Sequence, residues 1–580
     1  MRKCVGRGVT TRPPCLDDRA RSFRMNLLKC GLLIAISFVL VFVNAPTDAA
    51  TVLTNARVTP PPSAHWIQNA QAEPSLAINP LDPNNIVVGY LSFAQLSCTQ
   101  NSANQTACPV TPSTNISTVS VSKDGGLTWT QTFLKPDPAV GVYQLFGDML
   151  VLFGPRPLPG GGFAPLTGPS AASRVYALTV ANVFNSPVFS EVLYYSDDNG
   201  ANWTGPIVIS SNNPAPSKGK NVDRPEADVV MDQNSPFYGR LLVSYINDQG
   251  ANRASPVSIS GETLVVQFSD DGGVTWSKKD QIGNAAQNLQ VGDKIGIIYA
   301  KIAVGPNGAA YVVANHDTGH AIAVSTDGGR KFSNFVKVTD NPLAAFPGSD
   351  AFYGTYQWAL PGGAARFYAS PHPYIAVNPI TGKVIVAYNA FSYDPATKKV
   401  HGVLKIATST DQGKTWSTPA APIVDVPGHS VVLPTMDVDR AGLTFFIGYL
   451  LVADNPVGTP QGTDTRQDAA FVLSYDGGNS WTPSTVASTA PSNASAGFRR
   501  TLTTGFLGEF IEGKFDRDGY LQFVWTDTRN GGNCGALWNF VNAGGYATSQ
   551  PFDFVSQCLA GNSTNSAIGN TDIYWARILK

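Results

Sequence analysis

The 580-residue chain carries a formal charge of −1, and only 14% of its residues are charged. That balance excludes the basic face a nucleic-acid partner requires and offers no electrostatic pull toward an anionic membrane. With 55 glycines, 42 prolines and 10% aromatic residues, the composition points to many turns joining short, aromatic-rich strands.

In chain order, residues 1–24 are basic and irregular and match no folded element. Met25 to Lys29 is short and positive, and Gly31 to Val43 is almost unbroken apolar. Thr47-Asp48-Ala49 then offers small residues where a signal peptidase cuts. This layout predicts a secretory signal over residues 25–49, since the apolar run is short for a membrane span. An uncleaved anchor helix is the alternative, and Met25 is an alternative start. The expected location is secreted, periplasmic or at the cell surface, with no membrane association after cleavage. Four of the seven cysteines lie beyond the signal, as Cys98, Cys108, Cys534 and Cys558. Local disulfides Cys98–Cys108 and Cys534–Cys558 are the simplest of three connectivities. No histidines cluster near these cysteines, so no zinc site is expected. No cofactor or other metal is expected either.

From residue 50 onward one pattern organises the chain. It reads Ser122-x-Asp124-x-Gly126-x-x-Trp129, and returns with Ser196, Asp198, Gly200 and Trp203, then with Ser269, Asp271, Gly273 and Trp276. Ser325, Asp327, Gly329 and Phe332 form the fourth copy. Ser409, Asp411, Gly413 and Trp416 form the fifth, and Ser474, Asp476, Gly478 and Trp481 the sixth. The chemistry is that of a hairpin turn. The Asp side chain accepts hydrogen bonds from backbone N–H groups ahead of it, and the Gly supplies a positive φ. Alternating runs such as Thr118 to Val121 and Leu264 to Phe268 precede the copies, as half-buried strands require.

Two further strands lie upstream of each copy, as in Pro74 to Pro80 followed by Ile86 to Tyr90, and Tyr374 to Pro379 followed by Val384 to Tyr388. Each unit is therefore three strands, the Asp turn and a fourth strand, which is one propeller blade. A last unit, Phe510 to Phe515, Tyr520 to Trp525 and Ile573 to Arg577, has no Asp turn. The expected fold is thus an all-β propeller of four-stranded antiparallel blades. Seven blades are favoured, the last closed by a strand from near the N-terminus, and residues 50–580 form a single domain. Six blades are the alternative, if residues 141–182 are an insertion.

The six turns resemble the aspartate boxes (BNR repeats) of the sialidase superfamily, over about residues 70–577. In that family the box lies on the outer rim, away from the central site, so its residues are not expected to be catalytic. The resemblance implies a central site in which arginines grip a sugar carboxylate through bidentate charge-assisted bonds. It also implies a tyrosine nucleophile with a glutamate partner, in place of the usual pair of carboxylates. No Phe/Tyr-Arg-Ile-Pro motif occurs between residues 51 and 121, where the first unit has Glu73-Pro74 instead.

The candidates for that site are Asp223, Arg224 and Glu226 in Asp-Arg-Pro-Glu, Arg366, Tyr374 beside His372, Arg500 beside Arg499, and Glu509. Arg529, Asp148 and Asp437 are further charged residues at strand ends. Each has a plainer reading: Arg224 in a blade-to-blade salt bridge, Tyr374 as a packed strand aromatic, Arg499 and Arg500 as a solvated pair. The expected function is a glycan-active propeller, a monomer with a glycan or glycoconjugate ligand. It is either a sialidase-like exo-glycosidase or a non-catalytic propeller binding glycans or proteins at its central face.

Overall fold

The computed structural model describes residues 50–60, 71–92, 99–100, 106–107, 116–183, 189–209, 221–248, 262–277, 280–282, 300–316, 319–340, 365–367, 373–419, 421–456, 465–494, 498–501, 504–531, 539 and 571–580. The chain divides into Met1–Thr47 and Asp48–Lys580, and all described residues lie in the second unit. The signal-like segment, His372 and the four cysteines Cys98, Cys108, Cys534 and Cys558 fall outside the described residues. Among the described residues no helix is long and apolar enough to cross a membrane.

Seven antiparallel sheets form a ring. Blade 1 runs from its inner strand Gln71–Ile78 through Ile86–Ser92 and Ser117–Ser122 to Thr130–Phe133. Blade 2 is Val142–Pro155, Ser173–Val183, Phe189–Ser196 and Thr204–Val208, so residues 141–182 are a blade and not an insertion. Blade 3 starts with Asn221–Val229, blade 4 with Ala300–Val304, blade 5 with Tyr374–Val377 and blade 6 with His429–Val438. Blade 7 has Glu512–Phe515, Leu521–Asp527 and Asp572–Leu579, and its outer strand is Thr51–Arg57. Each inner strand lies against those of both neighbouring blades, from Gln71–Ile78 round to Glu512–Phe515 and back.

The Asp turns weld this ring. In each of them the Ser hydroxyl donates to the Asp carboxylate and accepts the N–H of the Gly four residues on, at 2.8 Å for both bonds in Ser122-Asp124-Gly126. Asp124 also accepts the Thr128 N–H at 2.9 Å, and the indole of Trp129 donates to the Gly126 carbonyl at 3.1 Å. That Gly has two reasons to lack a side chain. Gly273 has φ 94°, and a methyl there would sit 2.2 Å from Leu193 in the preceding blade. Gly126 is pressed onto the Trp575 ring of blade 7 in the same way.

A second contact reaches the residue just before that Gly. Its carbonyl accepts from a side chain of the preceding blade: Asn85 onto Asn199, Arg174 onto Gly272, Arg240 onto Gly328 and Lys383 onto Gly477. Each donor stands at or just before the start of a second strand.

Candidate functional site

All inner strands run the same way, so one mouth of the ring, the upper one, collects their first residues. The lower mouth collects the turns into the second strands. On the upper side four inner strands slip register, between Ala72 and Ser75, Gly147 and Leu150, Asp223 and Glu226, and Val432 and Thr435. Three of these bulges hold a proline (Pro74, Pro225, Pro434), which cannot donate to the ladder. Glu73, Asp148 and Leu433 adopt positive φ values of 59°, 47° and 50° in them. Strain of this sort costs on the order of 1–3 kcal/mol per residue and clusters at functional sites.

Below the bulges, charged side chains line the inner strands. Glu226 of blade 3 pairs with Lys301 of blade 4. The Lys301 ammonium lies 4.3 Å from the centre of the Tyr374 ring and 5.1 Å from that of Phe510. The Tyr374 hydroxyl donates to the Ile511 carbonyl at 3.3 Å. On blade 7, Glu512 accepts from the Ser75 hydroxyl at 2.8 Å and the Leu76 N–H at 2.7 Å, and meets Lys514 at 3.2 Å. Asp228 accepts the Val304 N–H and Asp437 the Phe515 N–H, both at 2.7 Å. These bonds have a common cause. An inner strand is a sheet edge with unpaired N–H groups, and a carboxylate on the previous blade satisfies them.

Burial sets the protonation of this lining. It pushes Glu226 up, with Lys301 opposing, and lifts Asp437 to about 6. Burial works against the Lys301 cation, but Glu226 and then Tyr374 hold its pKa above the ordinary lysine value. Tyr374 is raised by burial, with the Lys301 charge opposing.

The sequence candidates divide accordingly. Glu226 and Tyr374, on neighbouring-but-one blades, meet at Lys301. The ion pair of Glu226 is a blade-to-blade bridge, and Tyr374 belongs to the apolar core between blades 5 and 6. Asp223 and Arg224 stand in the blade 3 bulge, with side chains outside the described residues. Arg366, in Ala365–Phe367, and Arg500, in Phe498–Thr501, flank one strand, Thr504–Gly508, in a small sheet; their side chains too lie outside the described residues. That strand delivers Gly508 against Glu73 and leads into the buried Glu509. Arg529 is occupied elsewhere, forking Asp527 at 2.7 and 3.0 Å and stacking on Tyr574. Asp437 is a strand pin. Lys301, Glu512, Lys514 and Asp228 escaped the sequence reading; their signal was a charge inside an apolar inner-strand run. Among the described residues no three His, Cys, Asp or Glu side chains group so as to hold a metal ion.

Residues 267–278, which span the third Asp turn, match the BNR/Asp-box repeat family. The chain is a seven-bladed Asp-box propeller. No curated protein matches the sequence. Among solved structures, this propeller is similar to an α-L-arabinofuranosidase from Fusarium graminearum, with 14% identity over 73% of this chain and 98% of that one, TM-score 0.38. It is similar to a leech intramolecular trans-sialidase, with 14% identity over 68% and 67% of the two chains, TM-score 0.37. A Hadza microbial sialidase shares 12% identity over 82% and 94%, TM-score 0.36.

Proposed function

We propose that the protein is a glycan-active propeller working outside the cytoplasm, a sialidase-type exo-glycosidase that removes a terminal carboxylated sugar at the upper mouth. The observation that carries this reading is the placing of arginine-bearing segments. Arg366 and Arg500 flank one strand, which packs on the first inner strand at Glu73, while Arg224 occupies the matching bulge two blades on. In this reading the guanidinium groups hold the sugar carboxylate bidentately. Tyr374 attacks the anomeric carbon and passes its proton to Glu226, and Lys301 supplies the counter-charge for the developing phenolate. Asp223 or Glu509 protonates the leaving oxygen. Water then releases the sugar from the tyrosine.

The second reading, a non-catalytic propeller that binds glycans as a monomer, is favoured by Tyr374 itself. Its hydroxyl is engaged by a backbone carbonyl and its ring sits in the core. Fluorophore release from a synthetic α-sialoside by the chain from Ala50 separates the two. Turnover that falls at least a hundredfold in Arg224→Ala and Tyr374→Phe is the expected result. A folded parent without turnover overturns the hydrolase, and a glycan-binding screen then tests the binder.

A further inference from the structure

At the lower mouth, the turns that end the inner strands of blades 1, 4 and 5 carry a proline at matching positions, Pro80, Pro306 and Pro379. Blades 6 and 7 carry an arginine there instead, in Asp439-Arg440-Ala441-Gly442 and Asp516-Arg517-Asp518-Gly519. The two turns are built alike. Asp439 accepts the Leu443 N–H and Asp516 the Tyr520 N–H, each at 2.9 Å, and Gly442 and Gly519 take φ values of 68° and 85°. Each turn therefore presents its arginine from a fixed backbone.

Both arginines reach the turn of blade 1. Arg517 donates to the Leu81 carbonyl, and Arg440 donates to the Pro80 carbonyl at 3.5 Å. Consecutive carbonyls hold the two guanidinium groups side by side, and both residues are exposed. The carboxylates around them are mostly engaged. Asp439 binds Lys580, and Asp516 accepts from Gln522 at 3.1 Å and lies 3.7 Å from Arg577. Asp518 lies 3.5 Å from Arg517. Burial of part of the side chain and then the Arg517 charge disfavour the Arg440 cation, with the charge of Asp516 opposing. A guanidinium carries five N–H donors, and each of these two gives one of them to a carbonyl of the blade 1 turn.

We propose that Arg440 and Arg517 form an oxyanion site at the lower mouth, taking the carboxylate, sulfate or phosphate group of a ligand between their two forks. The site is separate from the upper mouth and does not depend on any hydrolytic activity. Two like charges held together are relieved by an anion that accepts from both.

The test is calorimetric titration and thermal melting of the chain from Ala50 with sodium sulfate, phosphate or glucuronate, against sodium chloride at equal ionic strength. The parent, Arg440→Gln, Arg517→Gln and the double variant are compared. Saturable binding by the parent, weakened about tenfold in each single variant and lost in the double, is expected, and the order of the three anions identifies the oxyanion. Absence of any response beyond chloride, or a double variant that binds as the parent does, overturns the site. Circular dichroism guards against misfolding. If the double variant does not fold, Arg440→Gln decides, because its carbonyl bond is the longer one, and unchanged binding there overturns the proposal.

Discussion

Arg240 of blade 3 donates to the carbonyl of Gly328, inside the Asp turn of blade 4, at 2.8 Å, and closes a joint that side chains make between neighbouring blades. Its remaining edge forks Asp270 at 2.7 Å on both bonds, and its plane lies 4.0 Å from the centre of the Phe268 ring. The residue is 2% exposed. Replacement by alanine strands a buried carbonyl and removes the packing, so Arg240→Ala should lower the unfolding free energy by about 2–3 kcal/mol. Urea unfolding followed by tryptophan fluorescence measures it, and a change under half a kcal/mol contradicts the joint.

The Gly four residues after the Ser of an Asp turn should be intolerant where it touches the preceding blade, whereas a glycine in an open loop should be replaceable. Gly273→Ala combines φ 94° with a contact at 2.2 Å, and should cost at least about 2 kcal/mol. Gly160→Ala, with nothing within 4 Å and no positive φ recorded, should be neutral. Equal melting temperatures for the two variants would contradict the close approach.

His401 lies between Asp454 at 2.8 Å and Asp425 at 2.9 Å, and Asp454 in turn accepts from Ser430 at 2.6 Å. Burial opposes the imidazolium, but the two carboxylates raise its pKa above the ordinary value. A raised folded-state pKa means that the stabilisation is complete below about pH 6.5 and fades as pH rises through the folded value. Asp437 slopes the same way in a lower window. Lifted to about 6 by burial, it binds its proton more tightly folded than unfolded, so stability falls as pH climbs from about 4 through 6. Melting temperature measured from pH 4 to 9 should lose its upper slope in His401→Gln and its lower slope in Asp437→Asn. Unchanged slopes would refute the assignment.

The Glu226–Lys301 pair should show strong coupling. Removing one partner strands a buried charge, so Lys301→Met should destabilise by about 3–5 kcal/mol, and Glu226→Gln by a similar amount. The double variant should recover much of the loss. Additive losses in a double-mutant cycle would mean that the two side chains do not depend on each other.

The propeller was legible because its signals are local. Asp124 bonds the backbone within its own turn and Gly126 follows it, so a short window of sequence carries the hairpin and its recurrence carries the ring. The site was less legible because its partners come from different blades. Glu512 meets Ser75 and Leu76, distant in the chain, only once the ring closes. Lys301 reads alone as a charge on a strand edge, and its carboxylate becomes visible only when blades 3 and 4 stand side by side. Arg529 shows the opposite case: its partner Asp527 stands two residues away, and that spacing could have removed it from the candidates.

The pairing of Thr51–Arg57 with Asp572–Leu579 also sets a clock for biosynthesis. Strand 51–57 is among the first parts of the propeller to be made, yet its partner is among the last. Until then it waits as an unpaired edge, and blade 7 lacks both of its outer strands. Closing so long a loop carries an entropic cost that no local contact offsets. A chain whose synthesis stops before residue 572 can form hairpins and several blades but cannot lock the ring. Such a product should be open to proteases.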